Sequence, residues 1–80
     1  MAAGYDRLIG LVTRTAEHYV ILTDADGQDY FCYRNALDSF GPQIGEIGIG
    51  ATCSFTPIRG DRDRLRAIEV RVQALGPGSE

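Results

Sequence analysis

Apolar and polar residues alternate along most of this chain with a period of two, the repeat of a β-strand whose successive side chains leave opposite faces. Leu8-Ile9-Gly10-Leu11-Val12-Thr13-Arg14 reads as a first strand. Gly10 inside it marks a sharp bend or a close approach of backbones, as at a barrel corner. After a short polar break at Thr15-Ala16-Glu17, a second strand runs from about His18 to Thr23. Asp24-Ala25-Asp26-Gly27-Gln28-Asp29 is turn chemistry, since Asp and Gly tolerate positive φ and Asp bonds its own backbone. A third strand follows over Tyr30 to Arg34, and Asn35 to Phe40 predicts one helical or 3₁₀ turn. Gly41 to Gly50 is a glycine-rich loop with Ile44, Ile47 and Ile49 turned inward. The fourth strand, Ala51 to Thr56, places Ala51, Cys53 and Phe55 inward, and Pro57, which cannot donate to a ladder, belongs at the strand end or an edge. Past the charged turn Arg59-Gly60-Asp61-Arg62-Asp63-Arg64, a last strand runs from about Leu65 to Val72. Its pattern puts Ile68, Val70 and Val72 inward and Glu69, Arg71 and Gln73 outward.

Two strands carry large side chains on both faces. Val20 and Leu22 share one face of the second strand, Tyr19 and Ile21 the other. In the third, Tyr30 and Cys32 oppose Phe31 and Tyr33. A chain of 80 residues builds one small core, and one face of each strand is enough to line it. The expected core is Val12, Val20, Leu22, Cys32, Phe55, Ile68 and Val70. The surplus face then lies in water unless something covers it, and contiguous apolar patches mark binding surfaces.

Five short strands, an internal glycine and a longer link between the third and fourth point to an all-β fold. A small five-stranded antiparallel barrel of the OB type fits this layout, with an SH3-like barrel as the other candidate. One domain over residues 8–73 is expected, with 1–7 as an N-terminal extension and 74–80 as a flexible tail.

Composition narrows the chemistry. No apolar run approaches the ~18 residues of a membrane helix, and the opening residues lack a secretory pattern, so a cytoplasmic protein is expected. The net charge of −3 excludes a globally basic nucleic-acid binder. Every basic residue is Arg, which stacks on planar groups and forks onto phosphates. Cys32 and Cys53 lie at inward strand positions without a C-x-x-C spacing and read as reduced, buried hydrophobes. The Asp24–Asp29 stretch resembles the opening of a calcium loop, but Asn35 stands where the bidentate Glu is needed. The Arg59-Gly60-Asp61 tripeptide carries no weight in a chain without export signals. A single His with no orienting acid or nucleophile gives no catalytic constellation, and the Cys and His positions match no closed metal site. No catalytic residue, metal or cofactor is therefore expected.

Over roughly residues 8 to 72 the chain resembles a cold-shock domain. Gly10-Leu11-Val12 is similar to the family's opening Gly-aliphatic-Val. The first ribonucleoprotein-type motif falls on Glu17-His18-Tyr19-Val20-Ile21-Leu22, the second on Tyr30-Phe31-Cys32-Tyr33-Arg34, with Asn35-Ala36-Leu37 where the family has Ser-Ala-Ile. Ile47, Gly50, Cys53 and Phe55 follow the later L-x-x-G-x-x-V-x-F pattern, and Ala67-Ile68-Glu69-Val70 the final A-x-N-V. The departures are specific. The link between the first two strands is about two residues shorter, within ordinary loop variation. Arg14 replaces a surface Trp, Glu17 the leading basic residue, His18 and Val20 the motif glycines, and Ile21 a stacking aromatic. Tyr33 stands for a surface His, and Arg34 for the last aromatic.

The resemblance implies an OB-fold that binds single-stranded RNA or DNA, acting without chemistry as an RNA chaperone or regulator of RNA structure. Its binding residues would be Arg14, His18, Tyr19, Ile21, Phe31, Tyr33 and Arg34, with rings stacking on bases and arginines holding the backbone. Arg59, Arg62 and Arg64 of the charged turn are further candidates for phosphate contact. The alternative is a protein-interaction module or homodimer using the same apolar face, since Tyr and Arg are enriched at such interfaces. A positive potential over Tyr19 and Phe31 favours nucleic acid; a negative one favours a protein.

Overall fold

A computed structural model describes residues 7–60, 62 and 64–75. Five strands make up just over half of these residues: β1 (Leu8–Thr15), β2 (Tyr19–Thr23), β3 (Asp29–Tyr33), β4 (Thr52–Arg59) and β5 (Leu65–Ala74). They close into a barrel in the order β1-β2-β3-β5-β4, with β4 returning to β1, which gives the chain an OB-like architecture. All pairings are antiparallel except β3 with β5, which run parallel where Phe31 meets Arg66. Closure leaves little free edge among the described strands, chiefly β4 beyond Phe55.

The core is what the alternation requires. Val12, Val20, Leu22, Tyr30, Cys32, Cys53, Phe55, Ala67 and Val70 are buried together, with Ile47 and Ala51 sealing one end. Gly10 is needed where β1 crosses over this core. A β-carbon there would stand 2.9 Å from Phe55 Cε1 and 3.1 Å from Leu22 Cβ.

Several boundaries differ from those the pattern suggests. Ile68 is only partly buried and does not pack against the core cluster; Ala67 takes its place. The reason is a bulge in β5. Ser54 pairs with Arg71 but Thr56 pairs with Ile68, so β5 spends one more residue than β4 between these pairs. Glu69 sits at the bulge with φ of 51°, and its carbonyl accepts a 2.8 Å hydrogen bond from Arg7 Nη2. Arg7 also donates to Ser54 Oγ and Thr56 Oγ1, which fastens a residue expected in the extension to the barrel wall. The remainder of the expected extension, residues 1–6, and most of the tail, 76–80, lie outside the described residues.

β4 runs on through Pro57, so of the two expected positions, strand end or edge, the edge is realised. Its pairing with β1 covers only Thr52 to Phe55, so beyond that point β5 alone flanks it and a missing N–H leaves no gap in a β1 ladder. After β3, Arg34–Ala36 forms a 3₁₀ turn and Leu37 then bridges to Val70. A second 3₁₀ turn, Ile44–Glu46, is tied at its start by the Glu46 carboxylate, which accepts from Gln43 N at 2.8 Å. Ile47 goes inward and Ile44 packs against the core, but Ile49 does not: it is well exposed.

Candidate nucleic-acid interface

The β2–β3 hairpin is set by its turn. Asp24 Oδ1 accepts from the backbone N–H groups of Asp26 and Gln28, both at 2.9 Å, while Gly27 takes φ of 84°. These bonds, chiefly the one from Gln28, hold the Asp24 carboxyl below its ordinary value of 3.8. Its other oxygen accepts from Tyr30 Oη at 2.9 Å, and burial first and then this neighbour raise the Tyr30 phenol above 10.0. The turn thus fixes the register Tyr19↔Tyr33, Val20↔Cys32, Ile21↔Phe31 and Leu22↔Tyr30. That register puts Tyr19, Phe31 and Tyr33 on the outer face together.

The three rings form one half-buried cluster. Tyr19 lies 5.4 Å from Phe31 and 5.8 Å from Tyr33, tilted against both, and Phe31 and Tyr33 are near-parallel at 6.1 Å. These are ordinary distances for favourable aromatic pairs. Ile21, expected beside them as an open contact, is a correction: it is only 7% exposed, covered from the side where Phe31 and Arg14 pair across it. It still lines the hollow beside Phe31 but offers little surface of its own. Arg14 is exposed on β1 and borders a shallow hollow with Thr13, Ile21, Asp29 and Phe31.

The start of β5 and the residue before it bring two arginines to the rings. Arg64 lies over the Phe31 ring with its guanidinium carbon 5.1 Å from the centroid, and Arg66 lies over Tyr33 at 4.9 Å. Both are within cation–π range. Arg64 is among the expected candidates through its charged turn, whereas Arg66 is not. The available signal for Arg66 is the alternation Arg64-Leu65-Arg66, which sends both arginines to the face opposite Leu65; the parallel β3–β5 pairing then delivers them to the rings.

Next to Tyr33 the surface sinks into a cleft of about 740 Å³. Arg34, Arg62, Arg64 and Arg66 line it together with His18, Tyr33 and Asn35, and no carboxylate is among these residues. His18 sits in the bend before β2, and its Nδ1 accepts from Arg34 Nη2 at 3.2 Å. Arg34 belongs to the 3₁₀ turn and not to β3, which swings it toward His18. Arg62 is held at φ of 60°, a region that favours glycine. Arg66 Nε is sealed from solvent with no hydrogen-bond acceptor among the described residues. Arg59 remains on β4, outside the cleft lining.

The structure therefore brings together His18, Tyr19, Phe31, Tyr33 and Arg34, sets Arg14 on the far side of Phe31, and adds Asn35, Arg62, Arg64 and Arg66. Among the described residues no group of three or more His, Cys, Asp or Glu is arranged to hold a metal ion, and no helix is long and apolar enough to cross a membrane. Cys32 and Cys53 are free and buried; burial, and for Cys32 the neighbouring Cys53, pushes their thiols up to about 12 and about 11. No protein-family model matches the chain, and no curated protein matches it in sequence.

Proposed function

We propose that the β2–β3 face and the adjoining cleft bind single-stranded RNA or DNA, in the manner of a divergent cold-shock domain, as an RNA chaperone or regulator of RNA structure and without chemistry of its own. One observation carries this reading: three clustered rings with Arg64 and Arg66 over two of them. Rings offer π-faces to successive bases, while guanidinium groups supply both planar stacking and phosphate contacts. Four arginines line the cleft and no carboxylate is among its described lining residues, although the Glu17 carboxylate stands 4.0 Å from the lining His18 Nε2; this concentrates positive charge in a chain of net charge −3. A polyanion is attracted to such a patch despite the overall sign, because exposed charges beyond about 8–10 Å are screened.

A protein partner or second copy is the competing reading. It would use the same ring face, where Tyr and Arg residues are also suited to a protein interface. The experiment is a titration of the purified protein with short single-stranded oligonucleotides, following Tyr fluorescence, on wild type, Phe31→Ala, Tyr33→Ala and Leu22→Ala. The first two should each lose about 1–3 kcal/mol of binding while remaining folded. Leu22→Ala, in the core, should lose about 2–5 kcal/mol of stability instead. Absence of binding by well-folded wild type would transfer the surface to a protein partner.

A further inference from the structure

The arginine cleft gathers more positive charge than passage of a strand requires, and its position is asymmetric. Tyr33 is the only one of the three rings that also lines it, so the cleft opens at one end of the cluster and not along its length. Beyond it the surface changes character. The neighbouring hollow shares Asn35 and Arg66 with the cleft, but Asp38 and Glu69 also border it. A phosphodiester backbone continuing past the cleft would meet these two carboxylates together with Arg71, whereas the described lining of the cleft holds arginines and no carboxylate.

The donors are also too many for one internal linkage. A phosphodiester carries a single negative charge and two free oxygens, which one or two guanidinium forks satisfy. Half of the chain's eight basic residues converge here. Arg34 already spends one N–H on His18, and Arg66 Nε is shielded from water with no acceptor among the described residues. A phosphomonoester carries close to two negative charges near neutral pH and presents three acceptor oxygens, which suits this donor set better.

Building on the single-strand reading above, we infer that this cleft is a terminal-phosphate pocket: the protein engages one phosphorylated end of a single strand, with the terminal base on Tyr33 and the phosphomonoester among Arg34, Arg62, Arg64 and Arg66. The base then takes the place of the Arg66 guanidinium on Tyr33, and the displaced Arg66 turns to the phosphate beside Arg64. The chemistry is shared by 5′- and 3′-phosphorylated ends, and the polarity of the strand on the rings decides between them.

The test compares four pyrimidine strands at constant salt. Three are about six nucleotides long, within the usual span of an OB-type site: 5′-phosphorylated, 3′-phosphorylated, and hydroxyl-ended. The fourth is hydroxyl-ended and one nucleotide longer, which adds a phosphodiester without a monoester. One of the two phosphorylated strands should bind about tenfold or more tighter than its hydroxyl-ended counterpart, as expected when charge-assisted hydrogen bonds are added. The advantage should shrink below the monoester's second pKa of about 6, where the second charge is lost. Arg66→Ala and Arg64→Ala should bring the ratio toward one, because each costs the phosphorylated strand more affinity than it costs the hydroxyl-ended one. Equal affinity for all three shorter strands overturns the inference and leaves single-strand binding intact. So does a longer hydroxyl-ended strand that matches the phosphorylated one, because the gain is then only one more phosphate. Failure of every strand to bind removes both readings together.

Discussion

Gly10→Ala tests the packing that allows so short a chain to close a barrel. The backbone at Gly10 is in a region that alanine adopts without strain, so space alone decides the outcome. The new β-carbon would stand 2.9 Å from Phe55 Cε1, 3.1 Å from Leu22 Cβ and 3.4 Å from the Thr23 carbonyl oxygen. Carbon atoms prefer separations of about 3.5–4.0 Å, so two of these contacts are overlaps of roughly half an ångström. Neither neighbour gives easily. Phe55 is fully buried, with its ring 5.0 Å from that of Tyr30, and Leu22 Cβ is attached to a backbone paired with both Val12 and Tyr30. Overpacking of this kind costs about 1–3 kcal/mol. Loss of glycine freedom in the unfolded chain offsets about 0.4–1 kcal/mol of it. The net destabilisation is then on the order of 1–2 kcal/mol, or a fall in melting temperature of about 4–16 °C in a domain of this size. Thermal and urea unfolding measure it, with an unchanged urea slope as the control for an intact transition. In a Phe55→Leu background the same substitution should cost less, with a coupling of at least ~0.5 kcal/mol. If Gly10→Ala melts at or above wild type, or costs the same with and without Phe55, the close crossing of β1 over the core is wrong.

Cys32 and Cys53, with thiols pushed up to about 12 and about 11 by burial, should label with a thiol reagent at neutral pH only as fast as the protein unfolds; rapid labelling of native protein would contradict their placement in the core. Asp24 has a folded-state pKa below its ordinary value, so the stability it contributes is complete above pH 3.8 and is lost as pH falls through the lower folded value. Urea midpoints of wild type and Asp24→Ala should therefore differ at neutral pH and converge below pH 3.8; a gap independent of pH would exclude the charged cap as its cause. Oligonucleotide binding should weaken with salt at a log–log slope of about −2 to −3, from ~0.7 per phosphate over three or four contacts, and a slope near zero would remove the arginines from the interface.

The parts of this molecule legible in its sequence are those governed by strict alternation. Val12, Val20, Leu22, Cys32 and Phe55 fall where period two puts them, and the same rule sends Tyr19, Phe31 and Tyr33 to the opposite face. The rule fails where a strand breaks its own period. In β5 the bulge at Glu69 separates the buried Ala67 and Val70 by three positions, so Ile68 leaves the core although it matches the pattern. Nothing local announces this, because the left-handed residue is Glu and not Gly or Asn, and its Arg7 partner lies at the other end of the chain. Ile21 shows a different gap: alternation assigns its face, but coverage depends on Arg14 and Phe31 in neighbouring strands. Arg66 is the same problem at the site. Its outward direction is readable, yet its place over Tyr33 follows only from β3 meeting β5 in parallel, a pairing of residues distant in sequence.

That pairing also changes how the aromatic face has to work. An uncovered cluster of three rings would be an adhesive apolar patch, but here two of the rings lie under arginines. In the proposed function a base cannot simply land on Phe31 or Tyr33; it must exchange with a guanidinium or slide beneath it. Each displaced cation–π contact costs about 0.5–1 kcal/mol at an exposed site, against roughly 1–3 kcal/mol gained per stacked base. The exchange is therefore favourable but reduced, unless the displaced guanidinium finds a phosphate within reach. Nucleic acid supplies that phosphate one backbone bond from every sugar, so base and phosphate answer the ring and the arginine together. A protein side chain that covered the rings would have to bring its own carboxylate at the same spacing, which makes a nucleic-acid strand the better fit to this surface.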